Sequence, residues 1–431
     1  MADDTNPAAA LSCPLPLPAG ERILLGHGSG GKLSAELLKE VFLPALRNPI
    51  LERLEDQAIV NVKGIRLAYT TDSFVVKPLF FRGGDIGSLA VYGTVNDLAM
   101  GGAEPLWLSA AFIIEEGLEI ETLRRVAHSM RAAAERAGVM VVTGDTKVVE
   151  KGSGDGLFIN TSGIGLVREG VHLSAEQAKP GDAILVSGTL GDHGIAILAE
   201  REGLEFESEM ASDSAPLHTL VGQLLDATRE VRCLRDPTRG GLSSTLNEIA
   251  ARSRVGMELD EPSLPIRAEV RGACEMLGLD PLYVANEGKL VAIVSPDAAE
   301  KALAALGAHP LGREARIIGR VTEEHRGMVV MRTVLGTSAS WTCWPATSSL
   351  ESARNAWHAR DRHRFIHLGS RRSGGAAAAR GRFPRRRRAD RRALQRGSRR
   401  ARFRFFGADP RYAARESEAR NRMVPEARAL P

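Results

Sequence analysis

Cysteine is scarce in this sequence of 431 residues: there are four, Cys13, Cys233, Cys274 and Cys343. They are far apart and form no Cys-x-x-Cys pair, so zinc and dithiol redox motifs have no support. Sparse, scattered cysteine fits a reducing compartment, and a cytoplasmic location is expected. Long apolar runs are missing as well. None reaches the roughly 18–20 residues of a membrane helix, so no membrane partner is expected. The chain opens with Asp3 and Asp4 rather than a basic segment, which argues against a signal peptide. No fixed-period solenoid repeat is found. Lysine stops at Lys301, whereas residues 371–431 carry twenty arginines. The formal net charge of +4 therefore hides an acidic-to-neutral body and a basic tail, and it is not a nucleic-acid signal for the whole chain.

What is present is enough apolar residue, 43%, to bury a sizeable core, and a length that suggests two or three domains. Residues 1–20 are rich in Ala, Pro and Leu and read as a loose arm. Residues 21–168 alternate helix and strand signals. Leu33, Leu37, Leu38, Val41 and Phe42 recur at helical spacing. Ala58–Val62 and Ile65–Thr71 read as strands around the turn Lys63-Gly64. Ile86–Met100 reads as a helix, Leu106–Ile114 as a strand, Glu119–Ala137 as a helix, and Val139–Val142 and Leu157–Ile164 as strands. The turn Lys179-Pro180-Gly181-Asp182 opens a second α/β unit over 169–335, from Ala183–Ser187 to Met328–Arg332, with a helix at Gly241–Ala251. After about Leu335 the apolar periodicity disappears.

The chemistry lies in carboxylates at strand ends and glycine turns. Asp56 precedes a strand, Asp72 follows one, and Asn96-Asp97 lies inside a helix. Thr143-Gly144-Asp145-Thr146-Lys147 follows a strand. Asp236-Pro237-Thr238-Arg239-Gly240-Gly241 leads into a helix, and Asn286-Glu287-Gly288-Lys289 separates two strands. Carboxylates without His or Cys partners suit a hard cation such as Mg²⁺, which takes oxygen ligands and substrate phosphates. His27-Gly28-Ser29-Gly30-Gly31-Lys32 is a glycine turn directly before a helix, where backbone N–H groups and a lysine favour an anion.

Each feature has a plainer explanation. A glycine turn before a helix is usually only a turn, and this one is neither a Walker A nor a G-x-G-x-x-G sequence. An Asp after a strand is more often a turn-former or cap. Lys147 and Glu287 could be an ordinary surface ion pair. Asp97 is harder to dismiss, because Asp is a weak helix former. Spacing alone does not identify a reaction.

Five segments add more. They are HGSGGK (27–32), TTDSFVVKPLFFRGGDIGSLAVYGTVNDLAMGGAEPLWLSAAFIIEEG (70–117), VVTGDTKVVEKG (141–152), RDPTRGGL (235–242) and ANEGK (285–289). Over about residues 21–335 the chain resembles the HypE family of hydrogenase maturation proteins, relatives of aminoimidazole ribonucleotide synthetase and selenophosphate synthetase. The resemblance implies a two-domain α/β (α+β) fold whose N-terminal domain dimerises through its sheet, with ATP bound between the domains and across the homodimer. It implies that Lys32 contacts phosphate, and that Asp56, Asp72, Asp97 and Asp236 are the Mg²⁺–ATP carboxylates, with Asp56, Asp97 and Asp236 on the metal. Asp145 would belong to the same pocket.

The implied reaction is ATP-dependent dehydration. The carbamoyltransferase HypF loads a carbamoyl group onto a C-terminal cysteine thiol, and the resulting carboxamide is converted to a thiocyanate. A carboxamide oxygen leaves poorly until it is phosphorylated, and two N–H protons must also go. The resemblance gives that proton handling to Glu287 and Lys147. The cyanide then passes to a HypC–HypD complex and on to the iron of a NiFe hydrogenase. Three other readings remain: another ATP-using enzyme, such as a selenophosphate synthetase; a non-catalytic ATP-binding scaffold, since the terminal cysteine is missing; and a nucleic-acid-binding protein, which rests on the tail alone. The first lacks the reactive Cys or selenocysteine, because Ser29 and Gly30 stand in the glycine turn.

The C-terminus departs from the family, whose chains end in Pro-Arg-Ile-Cys; here the last residues are Ala-Leu-Pro, and Cys343 sits between Trp and Thr neighbours in Trp-Thr-Cys-Trp-Pro. Trp has a single codon. Read one nucleotide earlier, Trp341 to Ala353 permits Val-Asp-Met-Leu-Ala-Gly-Asp-Gln-Leu-Pro-Arg-Ile-Cys, and Ala353-Arg354 permits a stop codon. A reading-frame change near Gly336–Ser338 is therefore expected. Residues 336–431 are expected to be an out-of-frame, disordered tail. Arg-rich tails can bind polyanions non-specifically, so no specific nucleic acid is expected.

Overall fold

The computed structural model describes residues 22–28, 30–203, 210–333 and 338–340; the side chains of Lys32 and 338–340 lie outside that description. The expected arm, Ser29, and the tail beyond residue 340, with Cys343 and the inferred frame change, lie outside the described residues.

A helical hairpin-like run comes first: a 3₁₀ turn at Leu25–Gly28, α1 (Lys32–Leu37), a π turn at Leu38–Phe42 and α2 (Leu43–Leu46). The expected helical spacing is met, but the run buries none of its residues among those described. Val41 and Phe42 are about half exposed. Then follow β1 (Ala58–Val62), β2 (Ile65–Phe74), β3 (Phe80–Phe81), β4 (Gly84–Asp85), α3 (Ile86–Met100), β5 (Ala103–Glu115), α4 (Ile120–Ala137), β6 (Met140–Val149) and β7 (Leu157–Val167). β1, β2, β7, β5 and β6 form a five-stranded sheet in that order.

The strands run longer than their apolar patterns. Asp72 does not follow β2 but lies inside it, and Gly144 to Lys147 lie inside β6. In both cases the ladder continues through polar residues, because pairing to a neighbouring strand holds backbone that the hydrophobic pattern alone would release.

α3 is the pivot of this unit. Asp85 caps it, accepting from Gly87 N at 2.7 Å and Ser88 N at 3.0 Å, while Ser88 Oγ accepts from Asp85 N. The helix is apolar around most of its circumference and lies buried, as expected for one covered on several sides. α4 instead buries one stripe, Val126, Met130, Ala133, Ala134 and Ala137, and ends at Gly138, whose φ of 66° closes the helix. Both helices cover the same face of the sheet. The other face carries Tyr69, Trp107 and Ile164 in one row, with no helix of the described residues over it.

The second unit contains β8 (Ala183–Val186), α5 (Asp192–Glu202), α6 (His218–Ala227), β9 (Val231–Arg235), α7 (Gly241–Ser253), β10 (Gly256–Asp260), α8 (Ala268–Leu277), β11 (Val291–Val294), α9 (Ala299–Gly307), β12 (Arg316–Thr322), β13 (Val329–Arg332) and β14 (Ser338–Ser340). Its sheet order is β14-β13-β10-β12-β8-β11-β9. Strand alternation explains its two cores. Ile184, Val186, Val291 and Ile293 face α7, while Ala183, Leu185, Ala292 and Val294 face α6 and α9. Strands covered on both faces read as continuous apolar runs, which is why β8 and β11 stand out in the sequence. β14 was not anticipated. It pairs antiparallel with β13 through Ser338, Ala339 and Ser340, residues with no apolar alternation to announce a strand. The 285–289 turn is preceded by a 3₁₀ turn at Pro281–Tyr283 rather than by a strand.

Ala99 and Met100 at the end of α3 enter the α6 core. α3 thus packs into both units and carries residues of one into the seam with the other.

Candidate active site

A cleft of about 270 Å³ opens where the N-terminal turn, β1 and the β9–α7 loop meet; its walls include His27, Gly30, Asp56, Asp236, Arg239 and Glu248. The glycine turn lies directly on the β9–α7 loop. Arg239 Nη1 donates to Gly28 O at 2.8 Å, and a Cβ on Gly30, whose φ is 75°, would strike the Arg239 carbonyl. Only glycine lets these backbones approach so closely. Lys32 is the first residue of α1, at the edge of this cleft; its side chain lies outside the described residues.

Four of the expected carboxylates converge. Thr70 Oγ1 is 2.8 Å from Asp56 O and 2.9 Å from Asp97 Oδ2, which joins the segment before β1, β2 and α3 at one hydroxyl. Burial pushes Asp97 well above the usual carboxylate range, and Asp236, Asp56 and Asp72 push it further. Burial also raises Asp236, to about 8, with Asp56 adding to it. Asp72 is raised by burial against the opposing pull of Ser73 N–H and Arg239. Asp56 is raised by burial although Arg235 pulls it down. Four acids gathered in one half-buried place, of which only Asp56 pairs with the Arg235 guanidinium, favour a cation among them.

That preference fits Mg²⁺, an oxygen-seeking ion that keeps waters and substrate phosphates rather than an all-protein cage. Among the described residues, no three His, Cys, Asp or Glu side chains stand close enough to form such a cage themselves. Asp56, Asp97 and Asp236 are the side chains here that could hold such an ion.

Glu287 belongs to the same group. Burial pushes it well above its ordinary value, followed by Asp236, Asp213 and Asp72. It is no surface ion pair with Lys147. Lys147 is exposed on β6, 3.5 Å from Asp145. Register fixes how far away that is. Asp72, Thr161, Ala110 and Gly144 form one row across β2, β7, β5 and β6. Three strand spacings of ~4.8 Å separate the ends of that row by ~14 Å. Asp145 and Lys147 alternate with Gly144 and Thr146, so they leave the sheet on the uncovered face, in the row of Asn160 and Ser73 for Asp145. Within one chain, Asp145 and Lys147 are not brought to the carboxylates.

Three residues to which the sequence reading gives no role organise the site. Arg235 is buried and bonds Asp56, Glu55 Oε2 at 3.0 Å and Leu54 O at 3.1 Å, pinning β9 to the approach of β1. Asn286 accepts from Gly191 N at 2.7 Å and donates to Pro237 O at 2.9 Å, tying the Asp236 loop to the Glu287 turn. Asp213 accepts from Glu287 N at 3.0 Å. Arg235 and Asn286 stand inside conspicuous motifs beside acidic residues that drew the attention; Asp213 stands in a segment without motif or periodicity.

Residues 54–167 match the family described as AIR synthase related protein, N-terminal domain, and 179–332 match its C-terminal domain. The carbamoyl dehydratase HypE of Azotobacter vinelandii is 58% identical over 312 residues, 72% of this chain and 92% of that protein. A crystal structure of a HypE–HypF complex is similar at 51% identity and a TM-score of 0.68, covering 70% of this chain and 98% of that one. A crystal structure of HypE in complex with ATP is similar at 48% identity and a TM-score of 0.63, covering 75% and 99%.

Proposed function

Because the chain belongs to the carbamoyl dehydratase HypE family, we propose that it binds Mg²⁺–ATP in the cleft between its two sheets and dehydrates a cysteine-borne carboxamide to a thiocyanate. The observation that carries this reading is the convergence of Asp56, Asp72, Asp97, Asp236 and Glu287 beside a docked glycine turn.

Bound Mg²⁺–ATP would supply the phosphoryl group that makes the carboxamide oxygen a leaving group. The carboxamide R–S–C(=O)–NH₂ gains phosphate on oxygen, then loses phosphate and two N–H protons to give R–S–C≡N. The chain's own residues have separable tasks. Asp56, Asp97 and Asp236 would hold the cation with Asp72 beside them, and the backbones of Gly28 and Gly30 with Arg239 close the cleft. Glu287 sits where burial and neighbouring acids make it a stronger base than an ordinary carboxylate, suited to take a proton from nitrogen.

Lys147 and Asp145 enter through a second copy of the chain. The uncovered face with Tyr69, Trp107 and Ile164, about two-fifths or more exposed at Tyr69 and Trp107, is a sheet surface suited to a homodimer. Pairing there would bring one chain's GDTK residues to the other chain's cleft. HypF as donor of the carbamoyl group and a HypC–HypD complex as acceptor of the cyanide follow from the same reading, in a cytoplasmic setting. No described helix is long and apolar enough to cross a membrane.

The test is direct. Calorimetry should detect ATP binding that depends on Mg²⁺, and mass spectrometry should detect loss of water from a synthetic peptide ending in an S-carboxamide cysteine when ATP is added. ATP binding without any conversion of the peptide would overturn the dehydratase reading.

A further inference from the structure

We propose that Asp213 is the positioning residue for Glu287: its carboxylate spans the Glu287 backbone N–H and the Lys289 ammonium and so fixes the turn that carries the Glu287 side chain. The proposal rests on the reading of Glu287 as the base.

The turn 286–289 has no regular structure of its own, yet every residue in it is tied. Asp213 Oδ1 accepts from Glu287 N at 3.0 Å, and its Oδ2 accepts from Lys289 Nζ at 3.0 Å. The Asp213 and Lys289 side chains are only 4% and 11% exposed, so this is a buried ion pair rather than a surface one. Gly288 lies against the Asp213 carbonyl, where a Cβ would overlap it. The strap that carries Asp213 is itself anchored on both sides. Ser212 N donates to Arg82 O at 2.8 Å, Ser212 Oγ meets His193 Nδ1 at 2.8 Å, and Leu217 N donates to Asn96 Oδ1 at 2.8 Å.

A buried ion pair adds little net stability over a well-packed apolar pair, but it does specify geometry when both partners are further bonded. Here the bidentate use of one carboxylate sets the distance between a main-chain N–H and an ammonium two residues on. That locks the direction in which the Glu287 side chain leaves the turn. The Glu287 carboxyl needs such support, because a base must stand within hydrogen-bond reach of its proton.

The experiment uses the full chain and the synthetic S-carboxamide peptide. In the unmodified protein, the Glu287 amide should show hydrogen-exchange protection like that of β11; exchange at a loop rate would overturn the proposal. Asp213→Asn should lower kcat by roughly tenfold to a hundredfold, leave the ATP dissociation constant and the peptide KM within about twofold, and speed exchange over 286–289. Asp213→Glu, with its longer arm, should not rescue. The double substitution Asp213→Asn with Lys289→Met leaves no unpaired buried charge and keeps the test open if a single variant fails to fold. Unchanged kcat in these variants, or ATP affinity falling in step with kcat, would overturn the positioning role. Full activity of Glu287→Gln would instead remove the base assignment, and the exchange data would then decide the positioning claim alone.

Discussion

The side-chain amide of Asn96 donates to the Glu287 carbonyl at 3.3 Å and to Ala215 O at 3.1 Å, while its Oδ1 accepts from Leu217 N at 2.8 Å. Asn96 is adjacent in α3 to Asp97. One buried side chain therefore ties the helix that carries a cation-binding carboxylate to the turn that carries the proposed base, and fixes their relative position across the seam.

Replacing Asn96 by Ala should be costly. It leaves the Leu217 N–H buried without its acceptor and frees two carbonyls. A loss of about 1–3 kcal/mol is expected in urea unfolding. Asn96→Asp should be worse, since it keeps the acceptor but removes both donors and adds a charge beside Asp97. Unfolding midpoints equal to that of the parent would refute the bridging role.

The sequence carried most of the fold. The helix expected over Ile86–Met100 coincides with α3, whose apolar run is bounded by the Asp85–Ser88 cap that the structure shows. β8 and β11 were plain because both faces are buried. What was missed shares one cause: β6 past Val142, β2 past Thr71 and β14 are polar stretches ordered by a paired neighbour, and no local pattern encodes a neighbour. The site divides likewise. Asp56, Asp72, Asp97, Asp236 and Glu287 sit in recognisable motifs, and folding brings them together. Asp213 stands in no motif, and its role exists only through the contact with the 286–289 turn. The resemblance puts Asp145 in the same pocket and Lys147 with Glu287, but the sheet register sets Gly144, the neighbour of Asp145, ~14 Å from Asp72 within one chain.

Asp97→Asn should produce opposite effects on stability and binding. In metal-free buffer it removes one of four clustered acids, all raised by burial, and Asp97 itself is raised further by Asp236, Asp56 and Asp72, so thermal stability should rise by roughly 2–4 °C per kcal/mol of repulsion relieved. The same change takes a donor from the cation, and Mg²⁺-dependent ATP binding should weaken by about tenfold or more. Calorimetry with and without Mg²⁺ reads both. A variant that is less stable and still binds ATP normally would contradict the assignment.

His193 should make stability fall in acid. Burial lowers it from 6.5 to about 4, with Asp213 opposing, and the ring contacts Ser212 and Phe81. The unfolded chain therefore binds a proton that the folded chain refuses between pH 6.5 and 4. The group's contribution is fully present above pH 6.5 and is lost as pH falls toward 4, a difference on the order of 3 kcal/mol. Comparing unfolding free energies of the parent and His193→Gln at several pH values isolates it from the aspartates, whose raised values act in the opposite sense. Parallel pH profiles for the two proteins would exclude His193 as a source of acid sensitivity.

The position of Lys147 makes the sharpest prediction. Its ammonium leaves β6 on the uncovered face and pairs with Asp145, whereas Glu287 is half-buried and feels Asp236, Asp213 and Asp72. If both act on one carboxamide, they come from different chains of a dimer. Lys147→Met and Glu287→Gln should each abolish dehydration of the S-carboxamide peptide. Mixed after unfolding and refolded together, the two inactive proteins should regain about a quarter of the parent activity, because half of the random dimers are mixed and each mixed dimer holds one intact site. Residues acting within one chain would give no recovery, because no chain in the mixture carries both. Trp107→Glu on the shared face should prevent the recovery by separating the chains, and light scattering would show the monomer. Recovery by a demonstrably monomeric mixture would rule out the shared site.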